Sequence, residues 1–176
     1  MSFLDRIAAA IAPAATDQQR MEARQQLEQL AASEPFAQDI LDQHRQIEAL
    51  FAEARAGNGD GAQAVVEELA ILLNAHSMAE EAVIYPEISD HSSKAHAGMA
   101  YEEHAMTKVQ LAALQKLAPG TQEWHEKLDH IESAVQQHVY QEESSWLPDV
   151  IRYAPMEERQ RMSMEYRDYF ERVDIG

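Results

Sequence analysis

The stretch His76-Ser77-Met78-Ala79-Glu80-Glu81, followed by Val83-Ile84-Tyr85-Pro86, decides how the chain is read. On an α-helix, a histidine and a glutamate four residues apart differ by about 40° of rotation, so both project from one face and suit a single ion. The phrase returns as His138-Val139-Tyr140-Gln141-Glu142-Glu143, then Trp146-Leu147-Pro148. One such motif arises easily by chance on a helix surface. Two copies, each closed by an aromatic residue and a proline, call for a physical cause.

Outward from these motifs the chain reads as all-α. Ala, Glu, Gln, Leu and Met dominate, glycine and proline number six each, and the β-branched and aromatic clusters of strands are missing. A first bundle helix is expected over 35–56, with Ile40, Leu41, Ile47, Leu50, Phe51 and Ala54 as its apolar stripe. Gly57-Asn58-Gly59-Asp60-Gly61 breaks it. A second helix runs to about Tyr85 on Val65, Leu69, Leu72, Leu73, Val83 and Ile84, and a polar connection from Ser89 to Lys94 follows Pro86. The third spans about 95–118 on Ala100, Leu111 and Leu114, closed by Pro119-Gly120; the fourth spans about 121–146 on Leu128, Ile131, Val135 and Val139. Short turns between four long helices predict an antiparallel up-down-up-down four-helix bundle.

That bundle occupies residues 35–150 of the 176. Residues 1–34 read as an N-terminal helical leader: Phe3, Leu4, Ile7 and Ile11 have helical spacing, and 17–32 suit a largely exposed helix with Met21, Leu27 and Leu30. Residues 151–176 read as a C-terminal helix packing on the bundle through Met156, Met162, Met164, Tyr166, Tyr169 and Phe170. Either end could also serve a homodimer contact.

With 31 acidic against 14 basic side chains the formal charge is −17, which argues against nucleic acid or an anionic membrane as partner. No cysteine is present, so disulfides, iron–sulfur clusters and thiolate zinc sites are excluded, and any metal must be held by nitrogen and oxygen. No apolar run approaches the roughly 18 residues of a transmembrane span. The start of the chain lacks a basic segment of signal-peptide type and carries Asp5, so a cytoplasmic protein is expected.

Each bundle stripe is interrupted by one histidine, His44, His76, His104 or His138, and on three of them a glutamate, Glu48, Glu80 or Glu142, follows four positions later. His76 and His138 lie late in their helices, whereas His44 and His104 lie about ten residues into theirs. In alternating helices all four therefore reach one depth. Buried polar groups cost several kcal/mol each without partners, and converging acids repel or take up protons. A cation turns them into ligands. Imidazoles disfavour calcium and magnesium. One zinc takes about four ligands, whereas six or seven are on offer, which suits a carboxylate-bridged pair of transition ions. Iron is the first candidate, with manganese or zinc as substitutes.

These residues resemble the hemerythrin-like family with the HHE cation-binding domain, over about residues 36–150. The resemblance rests on Asp42-Gln43-His44-Arg45-Gln46-Ile47-Glu48-Ala49-Leu50-Phe51, His76 to Pro86, Glu102-Glu103-His104 with Lys108, and His138 to Pro148. It implies a non-haem, oxo- or hydroxo-bridged diiron centre, with His44, His76, His104 and His138 as terminal ligands and Glu80 and Glu142 bridging. Oxygen-carrying members place a second histidine where this chain has Lys108, and their last carboxylate falls five residues after its histidine, where this chain has Glu143. Glu142, which shares the face of His138, is the expected ligand, and the missing nitrogen is replaced by Glu48, by water or not at all.

The expected function is a diiron protein that binds or senses O2, iron or a related small oxidant. The alternatives are a diiron oxidoreductase acting on peroxide or nitric oxide, an iron donor for cluster repair, and a metal-free helical interaction module. Whether the chain is an enzyme is left open. His91, His96, His125 and His130 receive no role.

Overall fold

The structure, a computed structural model, describes residues 14–174, and all elements among them are helical. They are α1 (Asp17–Leu30), a 3-10 turn (Ala31–Ser33), α2 (Pro35–Ala56), α3 (Gly59–Ala79), a π-helical segment (Glu80–Ile84), α4 (Tyr85–His91), α5 (Lys94–Leu114), α6 (Gln122–Gln141), a second π-helical segment (Glu142–Trp146), α7 (Leu147–Tyr153) and α8 (Met156–Asp174). The leader positions Phe3, Leu4, Ile7 and Ile11 lie outside the described residues.

Helix starts follow the local chemistry. Thr16 and Gln19 form a reciprocal capping box before α1, Ser93 accepts from the His96 amide before α5, and Thr121 accepts from the Trp124 amide before α6. Pro35 occupies the first turn of α2, where its missing N–H costs nothing. The expected break at 57–61 shrinks to two residues, because the helix resumes at Gly59, whose φ of 53° is readily adopted by glycine. Helix α5 stops at Leu114, earlier than the expected 118, and the turn before α6 reverses through Gly120 at φ 83°.

The larger departure lies at the two motif ends. The chain does not leave the helix at Pro86 or Pro148 but passes through a π turn and continues to His91 and Tyr153. The Tyr85 amide reaches back five residues to the Glu80 carbonyl, and the Leu147 amide does the same to Glu142. Each proline then falls in the first turn of the renewed helix, a position that needs no N–H from it. Tyr101, one turn before His104, donates its hydroxyl to the Glu81 carbonyl at 2.8 Å, so this side chain supports the π segment.

Two apolar clusters form the core. One gathers Phe36, Ile40, Leu41, Ala79, Ile84, Tyr85, Ala100, Trp146 and Tyr166; the other gathers Ile47, Phe51, Leu69, Leu73, Leu111, Trp124, Leu128 and Val135. Along α2 the chain passes from the first cluster through His44 to the second. Along α3 it passes from the second through His76 to the first, and the order alternates again at His104 and His138. The four histidines therefore mark one polar layer between the clusters.

Helix α1 packs against α2, α6, α7 and the π segment at Glu142, and α8 packs against α2, α3 and the π segment at Glu80. In α1 only Ala23 and Leu27 are buried, while Met21 is exposed. In α8 Met162 and Tyr166 are buried and Phe170 packs against both clusters, but Met156, Met164 and Tyr169 face outward, fewer anchors than the apolar content suggested. No helix among the described residues is long and apolar enough to cross a membrane.

Leu27 is 0 % exposed in the first cluster, so the docking of α1 can be measured. Leu27→Ala should cost about 2–5 kcal/mol in chemical denaturation. A loss below about 0.5 kcal/mol would mean that α1 does not pack on the bundle in solution.

Candidate metal centre

The polar layer brings together six of the seven residues singled out in the sequence. His44, His76, Glu80 and Glu142 form one group, and Glu80, His104, His138 and Glu142 form a second, each with ligand atoms within 4.8 Å of one another. Glu80 and Glu142 belong to both. Glu142 turns Oε2 toward His44 Nε2 at 3.3 Å and Oε1 toward His138 Nε2 at 3.2 Å, so each oxygen serves a different histidine pair. Glu80 Oε2 stands 3.2 Å from His76 Nε2 and 3.5 Å from His104 Nε2.

Each imidazole is oriented from behind by an acceptor at Nδ1. Glu143 holds His44 at 2.9 Å, Gln43 holds His76 at 2.8 Å, Glu81 holds His104 at 3.2 Å and Glu103 holds His138 at 2.8 Å. The acceptors make a closed circuit. Gln43, beside His44, reaches His76; Glu81, beside Glu80, reaches His104; Glu103, beside His104, reaches His138; and Glu143, beside Glu142, returns to His44. With Nδ1 donating outward, each Nε2 keeps its lone pair for the interior, the arrangement that metal-binding histidines favour. An outer layer steadies the acceptors: Tyr166 donates to Gln43 Oε1 at 2.6 Å, Lys108 to Glu81 at 2.9 Å and Arg24 to Glu143 at 2.9 Å.

Glu48 departs from the expectation. It is not in either group; it accepts two hydrogen bonds at 2.8 Å from Arg24, and its side chain is 39 % exposed. Arg24 comes from α1 and offers a planar fork that matches a carboxylate, which draws Glu48 away from the interior. Lys108, at the position of the missing histidine, is engaged by Glu81.

The fit of a cation can be judged from the protein's own atoms. Among the described buried side-chain atoms without a hydrogen-bond partner are His44 Nε2, Glu80 Oε1 and Glu142 Oε2, all in this layer. The charges of these side chains are in conflict. Burial raises the Glu80 carboxyl well above its ordinary value, and the neighbouring Glu142 charge adds to this. Burial opposes ionisation of Glu142 too, but the His138 and His44 imidazoles overcome it and hold Glu142 well below the usual range. His44 is disfavoured as a cation by burial, yet Glu142 and Glu143 push it up to about 9, while burial takes His104 down to about 4. Two buried carboxyls pushed in opposite directions call for added positive charge between them, and nitrogen and carboxylate oxygen in this ratio suit borderline transition ions.

Sequence reading missed Tyr85 and Tyr166 as parts of the site. Tyr85 is fully buried with its hydroxyl among Glu80, His104, His138 and Glu142. Five residues after Glu80, an unbroken α-helix would carry it about 140° away; i→i+5 bonding brings it under Glu80. The flanking Gln43 and Glu103 carried a signal, since each adjoins a stripe histidine, but their targets lie on the next helix. His91 meets Glu87 at 3.3 Å and Glu158 at 2.9 Å in a smaller group, where Arg161 also binds Glu87.

The chain is 25 % identical over 134 residues to a DNA nickase of Nostoc sp., a match covering 74 % of this chain and 38 % of the nickase, so it spans well under half of that relative. No solved structure matches the chain significantly. The hemerythrin HHE cation-binding domain matches residues 36–150, which takes in all four histidines, both shared glutamates and both π segments. That match extends over more than half of the 176 residues, and the chain belongs to the hemerythrin HHE cation-binding family.

Proposed function

We propose that the protein is a non-haem diiron protein of an antiparallel up-down-up-down four-helix bundle, built to bind or sense O2 or a related small oxidant. His44 and His76 would hold one ion, His104 and His138 the other, and Glu80 and Glu142 would join them. The alternating order in which successive helices cross the two apolar clusters supports the bundle topology. The observation that carries the reading is Glu142, fully buried, with one oxygen toward each histidine pair.

Iron is favoured over zinc because the layer offers two ion positions with shared carboxylates, whereas one zinc site closes at about four ligands. Two ferrous ions there would supply electrons to O2, peroxide or nitric oxide. The chain's own part is to orient the imidazoles, exclude bulk water and leave room only for small molecules: the four histidines are at most 6 % exposed. That burial favours small-ligand binding over release of iron to a recipient. The acidic balance of −17 gives no basis for extending the nickase's activity on DNA to this chain.

Metal binding should be coupled to stability. With free ferrous iron at about 100 times Kd, the folded state should gain about 2.7 kcal/mol, raising Tm by roughly 5–10 °C for a chain of this size. Scanning calorimetry with and without a chelator checks this, and an unchanged Tm would count against a native metal site.

The ligand assignment is tested by metal analysis of variants. His76→Ala and His138→Ala should each lower iron from about two per chain and reduce Tm, whereas Glu48→Gln should retain both ions because that carboxylate serves Arg24. Full loading in both histidine variants, or loss of an ion in Glu48→Gln, would overturn the assignment.

A further inference from the structure

We propose that Tyr85 is a phenolate ligand of the ion held by His104 and His138, an assignment that rests on the two-ion reading above. Its hydroxyl oxygen stands 2.8 Å from His104 Nε2, 3.3 Å from His138 Nε2, 3.3 Å from Glu80 Oε2 and 3.2 Å from Glu142 Oε1. Neighbouring donors in an octahedral shell with bonds of about 2.1 Å lie about 3.0 Å apart. Tyr85 Oη thus keeps roughly the separation of a fellow donor from three atoms of the second group at once, Glu80 Oε2, His138 Nε2 and Glu142 Oε1. The two imidazoles are themselves 3.1 Å apart at Nε2, and His138 Nε2 lies 3.2 Å from Glu142 Oε1, so the same spacing recurs around the group.

A structural hydrogen bond accounts for this placement less well. The hydroxyl has one proton to donate but four ligand atoms around it. Against His104 it lies over the ring, 3.2 Å from Nδ1 and 2.8 Å from Nε2, so this imidazole turns about its Cβ–Cγ bond for its Nε2 to share an ion with the phenolate. Tyr85 is 0 % exposed, and the hydrogen bonds of its hydroxyl all run to residues of the second group. The π segment is the device that delivers it. Because the Tyr85 amide bonds to the Glu80 carbonyl, side chains five apart share the interior face, and Tyr101 at the Glu81 carbonyl holds that turn. The corresponding residue of the second motif, five after Glu142, is Leu147, which has no oxygen to offer, so the two ion positions are unequal. With an ion in place, Tyr85 would give up its hydroxyl proton to solvent and serve as the fifth protein donor beside His104, His138, Glu80 and Glu142. The His44/His76 position keeps four, and the open positions for a small ligand fall there.

The experiment is visible absorption and resonance Raman spectroscopy of the iron-loaded, oxidised full chain, with metal analysis of every sample. The wild-type protein with two irons should show a phenolate-to-ferric charge-transfer band with enhanced tyrosine ring modes. Tyr85→Phe should lose the band while retaining at least one iron, and Tyr153→Phe and Tyr169→Phe, changed at exposed side chains, should keep it. Two irons without the band in wild type would overturn the Tyr85 assignment and leave the diiron reading standing. A band that survives in Tyr85→Phe, or that vanishes in either other variant, assigns it elsewhere and also overturns the proposal. If Tyr85→Phe fails to fold, the wild-type spectrum still decides, because two irons without the band overturn the assignment. No iron in any sample would overturn both readings.

Discussion

The interaction on which this structure depends is the bond from each buried imidazole's Nδ1 to an acceptor on a neighbouring helix. Imidazoles left to rotate in a dry layer would seek any partner, including the carboxylates beside them. Glu143, Gln43, Glu81 and Glu103 remove that freedom and turn four Nε2 atoms inward. Because each acceptor adjoins an interior residue of its own helix, the circuit fixes the relative depth of helices along with the tautomers. A slip of one helix by a turn would break two of these bonds and expose a buried acid to apolar surroundings, a cost of several kcal/mol.

The same layer explains why the apolar core is divided. Phe36, Ile40, Trp146 and Tyr166 seal one side and Phe51, Leu69, Trp124 and Leu128 the other, so the polar groups meet little water and interact at low effective dielectric. Such a layer is destabilising on its own; cations neutralising Glu80 and Glu142 would convert it into a cross-link among α2, α3, α5 and α6. Helices α1 and α8 add support from outside. Arg24 anchors Glu143, Tyr166 anchors Gln43, and both contacts come from beyond the four helices that carry the histidines.

The inward set was legible because histidine and glutamate four apart obey α-helical spacing, and because two copies made accident a poor account. All-helical structure followed from composition and stripe period in the same way. Tyr85 was hidden by a change of period: nothing in Val83-Ile84-Tyr85-Pro86 announces an i→i+5 turn, and an α reading sends its side chain away from Glu80. The prolines mislead for a related reason: a proline after an apolar stripe reads as a helix end, whereas the π turn lets the helix resume. Glu48 obeyed the α rule and still turned outward, because its partner Arg24 lies 24 residues earlier on a helix whose docking the pattern did not define. Gln43 and Glu103 were visible as residues but not as partners, since their targets depend on which helices become neighbours.

The central claim is that two cations sit between these imidazoles and acids. The most direct measurement is anomalous diffraction at the iron absorption edge from crystals of protein produced with iron. The account predicts two peaks, one between His44 and His76 and one between His104 and His138, each within bonding distance of Glu80 and Glu142. No peak in this layer, or a peak only at the surface group of Glu87, His91 and Glu158, would contradict it.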